Sequence, residues 1–152
     1  MSRSASILFI LVSVLFAGCW GSGEAKDKSS RDTAFKEVFG FDVPSSAVDV
    51  KSSWFFLRDS YVRWLRVSCD EATISKIRSL HGSKPSTSRR THDAPGRSER
   101  NPNAPDWWIG AKVSPHLEEF EINRSKPSES DIVSVWIDQN TQTVYAARNV
   151  SH

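Results

Sequence analysis

Residues 132–148, IVSVWIDQNTQTVYAAR, carry the pattern that decides the fold. Val133, Val135 and Ile137 alternate with Ile132, Ser134 and Trp136 over the first arm, Ile132 to Asp138. A side-chain period of two is the mark of a strand. The second arm runs from Thr143 to Arg148, and Asp138-Gln139-Asn140-Thr141-Gln142 between the arms supplies turn chemistry. The reading is therefore an antiparallel hairpin.

Working outward, Leu117 to Ile122 reads as a further strand with Phe120 and Ile122 inward. Trp107 to Val113 reads as another, closed by a turn at Ser114-Pro115. Val48 to Leu57 and Tyr61 to Cys69 form a second strand pair around Arg58-Asp59-Ser60. In its second arm Tyr61, Leu65 and Val67 share one face, with Val62 and Trp64 on the other. Apolar residues on both faces predict a central strand with helix over one side. Asp70 opens a helix through about His81, with Ile74 and Ile77 inward and Gly82 as its stop. Asp32 opens a shorter one, with Phe35, Val38 and Phe39 at i, i+3, i+4 and Gly40 after it. This order predicts an α+β fold: an antiparallel sheet of about five to six strands with two short helices packed on one face.

Two segments read differently. Gly21 to Arg31 (GSGEAKDKSSR) has no apolar residue except Ala25, which predicts a flexible tether. Ser83 to Pro105 holds four prolines, many Ser, Thr and Asn, and the cations Lys84, Arg89, Arg90, Arg97 and Arg100 against Asp93 and Glu99. It predicts an exposed basic loop.

The chain has 152 residues, which suits one domain with a single core. Its formal net charge of +2 falls to +1 if Arg3 is removed. That is too close to zero to point to nucleic acid. The first residues follow the plan of a signal peptide: Arg3, then the apolar run Ile7 to Phe16, then small Ala17 and Gly18. Ten helical residues span roughly 15 Å, half a hydrocarbon core of about 30 Å, too short for a permanent span.

The run Phe16-Ala17-Gly18-Cys19 resembles the lipobox of bacterial lipoproteins. The resemblance implies cleavage before Cys19 and a diacylglycerol on its sulfur, with a further acyl chain usual on its nitrogen. At about 0.8 kcal/mol per buried CH₂, two or three chains hold firmly. It implies a layout of signal peptide 1–18, lipidated Cys19 and tether 19–31, and one domain 32–152. It implies a place in the cell envelope, either on the outer side of the inner membrane or in the outer membrane. Trp20, where aspartate would hold such a protein in the inner membrane, leans toward the latter. Separately, Phe35 to Pro44 (FKEVFGFDVP), with Trp107-Trp108 and Ile137-Asp138 through Tyr145, resembles a small α+β bacterial family to which no function attaches.

Two cysteines leave two readings. Acylated Cys19 leaves Cys69 without a partner, or an unacylated Cys19 bridges to it. Cys69 itself is either a small buried hydrophobe or a thiol activated by the helix that follows. His81 at the far end of that helix lies roughly 18 Å away, out of reach. His81, His92, His116 and His152 show no metal-ligand spacing, so no metal and no other cofactor is expected. There is no Gly-x-Ser-x-Gly elbow and no phosphate loop. Glu119 and Glu121 share a strand face, as a solvated surface or an acidic pair would. Asn123-Arg124-Ser125 and Asn149-Val150-Ser151 match the glycosylation pattern, which matters only in a eukaryotic secreted protein.

Trp107 and Trp108 are the candidate ligand-binding residues. As strand neighbours they face opposite sides. Either one is exposed beside the basic loop, where it could hold a glycan or peptide, or both are covered. The leading expectation is a non-catalytic envelope lipoprotein, anchored to the membrane by lipid, that binds or supports an envelope protein or glycan. The alternatives are a small hydrolase at Trp108 using Glu119 or His116, and a protective inhibitor whose basic loop meets an acidic cleft.

Overall fold

The described residues fold around one sheet. The computed structural model describes residues 20–81, 94–96 and 102–152. The signal-peptide reading, Cys19, Gly82, His92 and most of the basic loop lie outside the described residues. Along the chain come β1 (Trp20–Glu24), α1 (Lys28–Phe39), β2 (Val48–Leu57), β3 (Ser60–Ser68) and α2 (Glu71–Ser79). Then follow α3 (Asp106–Ile109), β4 (Glu118–Asn123), β5 (Ser130–Asp138) and β6 (Thr143–Ser151). Among the described residues there is one six-stranded sheet, antiparallel throughout, in the order β1-β2-β3-β6-β5-β4. The architecture is α+β-like, with the sheet dominant.

The hairpin 132–148 is present as β5–β6, with Asp138 opposite Thr143. Asp138 is buried and accepts from the backbone N–H of Asn140 at 3.1 Å and of Ser114 at 2.9 Å. One carboxylate thus shapes the turn and fastens the incoming chain to it. In β2–β3, Leu57 pairs Ser60 around a two-residue turn in which Arg58 takes a φ of +51°. A bulge interrupts the other end between Val48 and Lys51, where Asp49 also has positive φ and its carboxylate meets Arg66 at 3.0 Å.

Burial divides the two sheet faces. On one, Leu65, Val67, Val133, Val135, Ile137, Val144 and Ala146 pack with Phe35, Val38 and Phe39 of α1 and Ile74 and Ile77 of α2. On the other, Trp64, Trp136, Tyr145 and Ala147 pack against Trp108, Ala94 and Ala104. At roughly 25 cal/mol per Å² of apolar area removed from water, aromatics of this size make the second cluster a full partner of the first.

Three sequence expectations change. First, the segment 19–31 is no tether over its described part, and the fold does not begin at Asp32. β1 pairs with β2 from Trp20↔Leu57 to Glu24↔Ser53. α1 begins at Lys28 with Asp27, not Asp32, as its cap, the carboxylate accepting from Ser30 N at 2.8 Å. Asp32 sits inside the helix, paired with Lys28. Second, Trp107 to Val113 is not a strand. Asp106–Ile109 forms one helical turn, in which Trp108 N–H and Ile109 N–H both bond to Pro105 O. Pro105 before it, Asp106 in the first turn and Gly110 after it favour that turn over strand propensity. Third, the loop 83–105 is not wholly exposed: Ala94 and Ala104 are buried against the aromatic cluster.

Candidate functional site

Trp108 is fully buried, its ring centroid 5.7 Å from Trp136 and 5.8 Å from Tyr145, both edge-on. It plugs the second face of the sheet and presents no surface to a ligand. Trp107 is half-buried. Its indole N–H donates to Glu24 Oε1 at 3.1 Å, joining α3 to the end of β1. The adjacent pair therefore divides as one core ring and one rim ring, through a helical turn rather than strand alternation.

Trp107 lines a shallow cleft of about 230 Å³ with Glu24, Lys26, Arg31, Lys51 and Ser52. Arg31 is fixed there, donating to Lys26 O at 3.1 Å and Val50 O at 3.5 Å. Three cations surround a half-covered indole, against Glu24 in the cleft and Asp49 beside it, 4.0 Å from Lys51 Nζ; the balance suits a polar or anionic ligand held at the surface. On the other side of the Glu24–Ala25 connection a second cleft, of about 330 Å³, is lined by Trp54, Arg63, Ser29, Ser30 and Thr33. Arg63 is committed to its neighbours: Nε lies 3.0 Å from Glu37 Oε2 and donates to Tyr61 Oη, while Nη1 reaches Ser52 Oγ at 3.3 Å. Neither cleft holds an arrangement of nucleophile and base.

Two groups of charged residues away from the clefts brace the frame. Burial favours the neutral form of Asp131, but Arg148 and Arg124 outweigh it and hold the carboxyl below the usual carboxylate range. Arg148 grips it through Nε and Nη2, both at 2.9 Å. Arg148 and Arg63 are direct cross-strand partners, a like-charge pair that Asp131 and Glu37 compensate. Arg78 of α2 holds Glu118 of β4 by hydrogen bonds of 2.8–3.0 Å, which lower the Glu118 carboxyl.

Burial, aided by Asp70 and Glu71, pushes the Cys69 thiol up to about 11. It is protonated at neutral pH and packed in the helix-side core, so it behaves as a small hydrophobe. His81 is engaged at β4: Nδ1 lies 3.0 Å from Glu121 O and the ring packs on Phe120. His116 and His152 are exposed. Glu119 is exposed and Glu121 half-buried, both on the face away from Phe120 and Ile122. Trp108, around which the hydrolase reading placed its site, is buried, while Glu119 and His116 are exposed. Among the described residues no three His, Cys, Asp or Glu gather as a metal site, and no helix is long and apolar enough to cross a membrane.

The cations of the first cleft, Lys26, Arg31 and Lys51, were not legible as a group. Lys26 and Arg31 belonged to the expected tether, and only β1 pairing brings them to Lys51 and Trp107. Compared with protein-family models, with curated proteins and with solved structures, the chain has no match in any of the three.

Proposed function

We propose that this chain is a lipid-anchored protein of the bacterial cell envelope that binds another envelope component and catalyses no reaction itself. The observation that carries the reading is Phe16-Ala17-Gly18-Cys19 after the apolar run Ile7 to Phe16. The anchor would be Cys19, and the binding surface the cleft at Trp107. Its cations Lys26, Arg31 and Lys51 against Glu24 favour an anionic partner, an acidic protein segment or an acidic glycan. A fixed arginine and a rim indole are common anchors of such contacts.

The test uses the full chain expressed in a bacterial host with labelled palmitate. Label in the membrane-bound chain, lost in Cys19→Ser, is the expected result. An unlabelled chain released to the medium would overturn the anchor. Cross-linking in the same cells should join the chain to a partner, and Lys51→Glu should weaken that product without lowering expression. Equal cross-linking by both chains would move the binding surface elsewhere.

A further inference from the structure

We propose that the sheet stands directly on the bilayer, with the β2–β3 turn seated among the lipid headgroups. This rests on the lipid-anchor reading and deepens it. Trp20 is already a sheet residue, opposite Leu57. One peptide unit separates it from Cys19, so the acylated residue's Cα lies about 3.8 Å from that of Trp20. Adding a cross-strand step of about 5 Å keeps it within roughly 10 Å of Leu57.

No slack chain lies between lipid and fold. Five consecutive register pairs, Trp20 to Glu24, clamp β1 to β2. The end of the sheet nearest the anchor must then lie at the headgroups. Leu57, 47 % exposed, is the large apolar residue exposed there. It opens the two-residue turn Arg58-Asp59, both exposed.

The same end carries the turn before β5, because Ser60 and Ser130 both face Ser151. That turn brings Lys126 and Glu129, both clear of the core. Arg58 and Lys126 are offset by Asp59 and Glu129, so this end has no net charge from these groups. Seating is therefore apolar and driven by the anchor, and it should be insensitive to salt. The β5–β6 turn lies at the opposite end, roughly 25 Å away along β6, where it faces solution.

The experiment uses the full acylated chain, purified from membranes and reconstituted in phosphatidylethanolamine–phosphatidylglycerol vesicles. An environment-sensitive dye is placed by Ser60→Cys or by Asn140→Cys; buried Cys69 stays out of the labelling. The dye at 60 should be quenched by doxyl-labelled lipid and shielded from iodide, at low and high salt alike. The dye at 140 should show the reverse. Adding Leu57→Glu to Ser60→Cys should restore iodide access while the chain stays vesicle-bound. An acylated, vesicle-bound chain whose two sites are equally open to iodide would overturn the seating and leave the anchor standing. A chain without acyl mass on Cys19 would overturn both.

Discussion

At Gly23 a Cβ would meet the Trp54 indole at 3.0 Å, and at Gly21 at 3.3 Å. The two glycines of β1 are the bed on which that ring lies. Gly23→Val should force the ring off the strand and cost about 1–3 kcal/mol, read as a lower urea midpoint. Gly40 is a different case. It ends α1 at φ +80° with nothing near its missing Cβ, so Gly40→Ala should cost about 1–2 kcal/mol through backbone conformation alone. Asp131 and Glu118 contribute to the pH response, beside the lowered and exposed Asp27, Asp42 and Asp70. The carboxyls of Asp131 and Glu118 are lowered in the folded chain, so the unfolded chain takes up protons first as pH falls. The stability they add is complete above the ordinary carboxylate range near pH 4 and is lost as pH falls through their folded values. Asp131→Asn should flatten that acid limb in urea titrations across pH. It should also lower stability at neutral pH by about 3 kcal/mol, because Arg148 is left unpaired.

Among the elements, α3 is short yet holds the second face of the sheet. Trp108→Ala should cost about 3–5 kcal/mol and erase much of the near-ultraviolet circular dichroism. Little loss would mean that the aromatic cluster is not a core. β1 protects an edge: deleting Trp20–Glu24 would leave the ten residues of β2 as an open edge, and the shortened chain should self-associate on size exclusion. These are also the two elements that the sequence hid. β5–β6, β4 and α2 were legible because their apolar residues keep a period of two or of 3.6, and β2–β3 because β-branched and aromatic residues dominate it although Arg63 and Arg66 break its alternation. β1 shows no period, since Gly21 and Gly23 leave its apolar cover to Trp54, far along the chain in β2. In α3 two adjacent aromatics argued for strand, while the Pro105-Asp106 start and Gly110 end carried the helical signal. The cleft at Trp107 was half legible: its indole could be picked from the sequence, its cations only after β1 was placed.

For the whole molecule, the fold places its parts along one axis. β1 begins at Trp20 at one end of the sheet, while Glu24 and the Trp107 cleft lie about 13 Å further along the strand. In the proposed arrangement the binding surface is thus held at a set height above the lipid by a rigid sheet. The account turns on Cys19. Mass spectrometry of the N-terminal peptide from membrane-extracted protein tests it most directly. The account predicts a chain that begins at Cys19 and carries the mass of a diacylglyceryl group with or without a further acyl chain. An unmodified Cys19, or a mature chain that begins elsewhere, would contradict it.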